Sequence, residues 1–202
     1  MKQRTLVVVS AGLSQPSSTR LLADQLSAAA VTAAVERGIE LQVRTIELRD
    51  LAHDITNHLL TGFPPIALKD ALDAVEGADA VIAVSPIFTA SYSGLFKSFF
   101  DVVDKDALVD KPVLIAATAG TARHSLALEH ALRPLFGYLR AVVVPTSVFA
   151  ASDDWGADSS DGFLQTRIVR GATELATEID RREPATVTDP FALTVDFEDL
   201  LK

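Results

Sequence analysis

A chain of 202 residues, 49% hydrophobic and 22% charged, is sized for one domain with a full apolar core and no covalent staples. The absence of cysteine excludes disulfides, thiolate nucleophiles, iron–sulfur clusters and cysteine zinc sites, so any redox chemistry must come from a bound group. A net charge of −9 argues against nucleic acid, no apolar run approaches a membrane span, and the short apolar stretch after the first four residues lacks the form of a secretory signal, which makes a cytoplasmic protein the expectation.

In chain order, "TLVVVS" at 5–10 reads as a strand buried on both faces. Ser17 or Ser18 then caps a helix with Leu22, Leu26, Ala29 and Ala33 on one face, ending at Gly38. "IELQVRTIEL" is a second strand, and "RDLAHDITNHLLTGFPP" reads as a long connection before a helix over 67–76. "ADAVIAVS" is the third strand, followed by a helix marked by Phe96, Phe99, Phe100 and Val103. "PVLIAAT" at 112–118 is the fourth strand, and Leu128, Leu132, Leu135 and Leu139 mark a helix that Pro134 should kink or break. "AVVVPTSVF" is the fifth strand, "ASDDWGADSSDG" at 151–162 a loop, and Leu164, Ile168, Leu175 and Ile179 the last helical face.

Apolar strands alternating with helices predict an α/β three-layer sandwich, with a five-stranded parallel sheet in the flavodoxin-like order 2-1-3-4-5. One domain over 1–182 and a C-terminal tail over 183–202 complete the expected organisation.

Ligands of such sheets bind beyond the carboxyl ends of the strands, where three segments poor in charge and rich in hydroxyls converge. "SAGLSQPSST" at 10–19 offers Gly12, Ser14, Ser17, Ser18 and Thr19 at a helix start, where N–H groups and the helix dipole suit a phosphate; taken alone, an ordinary capped helix explains it better. In "PIFTASYSG" at 86–94, Pro86 fixes the chain direction, Phe88 and Tyr92 supply flat apolar surface, and the peptide groups from Ile87 to Ser91 can meet the edge of a planar ring. "TAGTARHS" at 118–125 has almost no side chain to obstruct a flat ligand. Neither the dinucleotide glycine fingerprint nor a Walker loop is present.

Together the three segments resemble the NADPH-dependent FMN reductases, closest to an actinobacterial subgroup that pairs with luciferase-like flavin monooxygenases. Ser17 and Thr19 stand on that family's phosphate-binding positions, Ser14 where Arg is common there, and Pro86, Ser91 and Gly94 match its second motif while Phe88, Thr89 and Ser93 depart from it. The resemblance implies a flavin site built from Ser10, Gly12, Ser17, Ser18 and Thr19 in the first segment, and Pro86, Ile87, Phe88, Thr89, Ser91 and Tyr92 in the second. Thr118, Ala119, Gly120 and Thr121 would complete it. It also implies hydride transfer from NADPH or NADH to FMN, a homodimer or homotetramer, and delivery of reduced flavin to a monooxygenase. Because a flavin brings its own electron sink, no catalytic side chain and no metal ligand is expected.

Other readings stay open on sequence alone: a flavodoxin-like electron carrier, a reductase of quinones, azo compounds or metal ions, or a phosphate-binding module. The carrier is disfavoured because residues 119–123 supply no large aromatic to cover a flavin ring. His124 either approaches the flavin or lines its own helix start, and Asp153 to Trp155 either gate the site or form an exposed loop. No basic cluster stands out as a reader of the NADPH 2′-phosphate.

Overall fold

The computed structural model describes residues 1–155 and 162–185; residues 156–161 of the predicted loop and 186–202 of the predicted tail lie outside the described residues. Strands β1 (Lys2–Ser10), β2 (Ile39–Glu47), β3 (Ala80–Phe88), β4 (Ser91–Tyr92), β5 (Pro112–Ala119), β6 (Val142–Val143) and β7 (Val148–Ala151) alternate with helices. The helices are α1 (Ser18–Val35), α2 (Ala52–Thr61), α3 (Ile66–Gly77), α4 (Gly94–Val102), α5 (Arg133–Tyr138) and α6 (Phe163–Asp180). The sheet runs β2-β1-β3-β5-β6, with β7 also paired to β5 and β4 folded back on β3. All pairings but that of β3 with β4 are parallel, which is the expected doubly wound order.

Side chains alternate across each strand, so one sheet feeds two cores. Leu6, Val8, Ile82, Val84, Leu114 and Ala116 pack under α1 and α6, against Leu22, Leu26, Ile168 and Leu175. Val7, Val9, Val81, Ala83, Val113 and Ile115 face the opposite layer of α2 to α5. There Phe96, Phe100 and Phe136 meet with ring centroids 4.7 to 6.2 Å apart, and burying each ring stabilises the fold by about 2 to 3 kcal/mol.

The helical faces at Phe96–Val103 and Leu128–Leu139 therefore belong to this core, with Phe96, Phe99, Leu132 and Phe136 fully buried. In α1 the spacing of Leu22, Leu26 and Ala33 holds, and Ala30 rather than Ala29 completes the buried row. The last helical turn closes through Gly38 at φ 71°, a conformation open to glycine.

Three local readings change. The connection after β2 contains α2, whose one fully buried residue is Ile55, so no apolar stripe announced it; its stop at Gly62, with φ 76°, is ordinary. The second ligand segment is a hairpin rather than an open loop: β3 continues to Phe88, and Ile87 and Phe88 pair with Tyr92 and Ser91. Its turn residues Thr89 and Ala90 both adopt positive φ, 50° and 71°, without the Asn-Gly chemistry that normally marks such a turn. The fifth strand splits into β6 and β7 because Pro145 has no N–H for the ladder and the Thr146 N–H turns away to Glu174, 2.7 Å off in α6. As expected, Pro134 marks a break, with a π-helical turn over Leu128–Leu132 leading into α5.

Candidate functional site

The carboxyl ends of β1, β3 and β5 and the start of α1 enclose a cleft of about 350 Å³. Leu13, Ser14, Ser17, Ser18 and Thr19 form one wall, Pro86, Ile87 and Phe88 a second, and Thr118, Ala119, Gly120 and Ser152 the remainder. None of these side chains is charged. Its volume lies within the usual range for small-ligand sites.

The first wall is organised by the helix start. A cis Gln15–Pro16 bond leads into Ser17, whose Oγ accepts from the Arg20 N–H at 3.3 Å, while the Ser17 carbonyl takes the Leu21 N–H. The N–H groups of Ser18 and Thr19, both lining the cleft, have no backbone or side-chain acceptor among the described residues. No acidic side chain occupies the first turn, so the positive end of this 18-residue helix is uncompensated and turned to the cleft. Arg20, the nearby cation, is held by Asp24 and Glu47; the Asp24 hydrogen bond is the larger cause of its raised pKa.

Beneath this helix start lies Ser10, on the side of β1 that carries Leu6 and Val8. It is 1% exposed, and its Oγ has no hydrogen-bond partner among the described residues. An orphaned buried hydroxyl is costly unless a further group satisfies it. Gly12 does not line the cleft but serves the cap: a Cβ there would fall 2.1 Å from Ser17 Oγ, in space that side chain already fills.

Thr19 and Thr118 have a different place from the free hydroxyls the sequence suggested. Their Oγ1 atoms are hydrogen-bonded to each other at 2.8 Å, and the residues are 2% and 3% exposed. They tie α1 to β5 and leave Thr19 its backbone N–H for a ligand.

Pro86 and Ile87 are buried, whereas Phe88 is 48% exposed at the rim. Ser85 Oγ accepts from the Ser93 N–H at 3.0 Å and donates to the Pro86 carbonyl at 2.9 Å, which fixes the root of the hairpin. Thr89, Ser91 and Tyr92 stand beyond the cleft wall: Thr89 in the turn, Ser91 on the returning strand, and Tyr92 packed 5.8 Å from Phe96. Thr121 also stands outside, its Oγ1 accepting from the Arg123 N–H at 3.4 Å to cap a short 3₁₀ turn over Ala122–His124.

Ser14 lines the cleft with the rest of its segment, and Leu13 and Ser152 line it without having been assigned to it from sequence. Ser152 follows the carboxyl end of β7, where the strand-end rule alone would have placed it. Asp154 is outside the cleft lining, and its Oδ2 accepts from the Ala151 N–H at 2.7 Å, closing the local turn.

Comparison with known proteins converges on one family. A family model described as NADPH-dependent FMN reductase matches residues 4–156. An FMN reductase (NADPH) of Pseudomonas aeruginosa is 40% identical over 150 residues, 74% of this chain and 78% of that protein. The NADH-dependent FMN reductase SfnE of Pseudomonas putida is 36% identical over 173 residues, 86% of this chain and 88% of its own length. Among solved structures, an oxidoreductase of Corynebacterium diphtheriae is 49% identical with a TM-score of 0.86, covering 91% of this chain and all of that one. The chain belongs to the NADPH-dependent FMN reductase family.

Proposed function

We propose that this protein is an NAD(P)H-dependent FMN reductase, taking a hydride from the nicotinamide and a proton from water to reduce FMN, and passing reduced flavin to a flavin-dependent monooxygenase. The observation that carries the reading is the uncharged cleft at an uncompensated helix start, where two N–H groups lack partners; the buried Ser10 hydroxyl, at the end of β1 and outside the cleft lining, lacks one too.

The residues present fit an FMN phosphate. Ser18 and Thr19 would donate their backbone N–H groups and Ser10, at the end of β1, its orphaned hydroxyl, while Gly12 lets Ser17 keep its capping position. Pro86, Ile87 and Phe88 would lie along the ring system, with Thr89, Ser91 and Tyr92 holding the hairpin that presents them. Thr118, Ala119 and Gly120 would border the ring's other edge from a strand end that Thr19 and Thr121 brace. FMN, when bound, supplies the two-electron sink. The chain contributes position and electrostatics, and no side chain of the cleft is asked to carry a proton.

Support for the actinobacterial subgroup is the 49% identity to the Corynebacterium diphtheriae oxidoreductase, and a luciferase-like monooxygenase as partner is part of the same proposal. A cytoplasmic location and a homodimer or homotetramer belong to the same proposal. Leu60, Phe63 and Ile66, at 80%, 81% and 90% exposure, offer the apolar surface such an assembly needs.

Steady NADPH or NADH oxidation at 340 nm that depends on added FMN tests the reading. A bound flavin spectrum without turnover would make the protein a carrier, and absence of FMN binding would remove the flavin altogether.

A further inference from the structure

A second cleft, of about 340 Å³, opens on the far side of the hairpin turn, lined by Arg123, His124, His130 and the small residues Ala90, Ala127 and Ala131. No carboxylate lines it, although the chain carries a net charge of −9. Arg44, Arg133 and Arg140 are each held by a carboxylate, whereas the Arg123 guanidinium makes no hydrogen bond or ion pair among the described residues. Glu129, the acid beside His130, is turned to Arg133 at 2.6 Å and to Ser147 at 2.9 Å. What remains is a concave surface with a planar five-donor fork and two imidazoles, a donor set suited to a phosphomonoester.

Its position relative to the first cleft is bounded by the chain itself. Phe88 lines the first and Ala90 the second, two residues apart, and Gly120 and Arg123 stand three apart. The two sites are thus separated by no more than about 7 to 11 Å of backbone along either connection. A dinucleotide whose nicotinamide reaches the first cleft is long enough to bring its adenosine end to the second. Of its phosphates, the 2′-phosphomonoester carries the most charge and three terminal oxygens, which matches a forked cation flanked by donors.

We propose that Arg123, with His124 and His130, binds the 2′-phosphate of NADPH and gives the enzyme a preference for NADPH over NADH. This rests on the FMN reductase reading and adds to it the choice of nicotinamide donor. Sequence spacing hid the cluster, because the loop after β5 and the π-helical turn bring its members together.

Calorimetric titration of the full chain, without flavin, uses adenosine 2′,5′-bisphosphate and 5′-AMP as probes. The wild type should bind the bisphosphate at least about tenfold more tightly, and Arg123→Ala should abolish that difference, with Arg123→Lys falling between them. In steady-state assays with FMN, Arg123→Ala should raise the ratio of KM for NADPH to KM for NADH about tenfold. Equal binding of the two probes by the wild type, or an unchanged KM ratio in Arg123→Ala, overturns the assignment. Failure to oxidise either donor with FMN would strike the flavin reading instead, and the probe titration would still decide the phosphate site by itself.

Discussion

The hydroxyls of Thr19 and Thr118, 99 positions apart in sequence, share a hydrogen bond of 2.8 Å that is closed to water and joins the first turn of α1 to the carboxyl end of β5. The bond ties together two walls of the cleft. Removing either hydroxyl strands the other in a buried site, so Thr19→Val and Thr118→Val should each cost about 1 to 3 kcal/mol. The double variant should cost less than the sum of the two, because it leaves no orphan behind. Urea unfolding of the four proteins measures this, and strictly additive losses would show the bond to be energetically idle.

Gly12 is expected to be sensitive for a steric reason. An added methyl group at 2.1 Å from Ser17 Oγ forces that side chain out of its capping rotamer. Gly12→Ala should lose about 1 kcal/mol of stability through the cap, and it should weaken FMN binding at least about tenfold by displacing the helix start proposed to hold the phosphate. Thermal melts and fluorescence titration with FMN separate the two effects, and unchanged FMN affinity would place the phosphate elsewhere.

A pH effect follows from Lys111, whose Nζ is buried at the end of α3, donating to the carbonyls of Val75 and Glu76 at 2.6 Å each. Burial pushes its pKa down from 10.5 to about 8, against the opposing pull of Glu76 and Asp79. Between pH 8 and 10.5 the unfolded chain still holds a proton that the folded protein has released, so this group makes stability rise with pH across that window. Lys111→Met lacks the titration. The wild type should therefore gain on the order of 2 kcal/mol relative to the variant between pH 8 and 10 in denaturant midpoints converted to free energy. A difference that stays flat with pH would contradict the buried charge.

The legible parts of this fold were those where burial leaves a mark in composition. β1, β3 and β5 are sheltered on both faces and read as continuous apolar runs; α1 and α6 carry clear inward rows. α2 escaped because Ile55 alone is fully buried, and β4 because Thr89–Ala90 turns the chain without glycine or asparagine. At the site, the small hydroxyl segments and the helix start were visible locally. Contacts made by folding were not: the Thr19–Thr118 bond and the meeting of Arg123 with His130 depend on residues brought together from separate elements.

In the proposed function the N-terminus of α1 grips the phosphate of FMN. Titrating the protein with FMN and with riboflavin, which share the ring and differ in the phosphate, tests it most directly. Two charge-assisted hydrogen bonds at the Ser18 and Thr19 N–H groups should make FMN bind at least about a hundredfold more tightly than riboflavin. Equal affinities for the two flavins would contradict it.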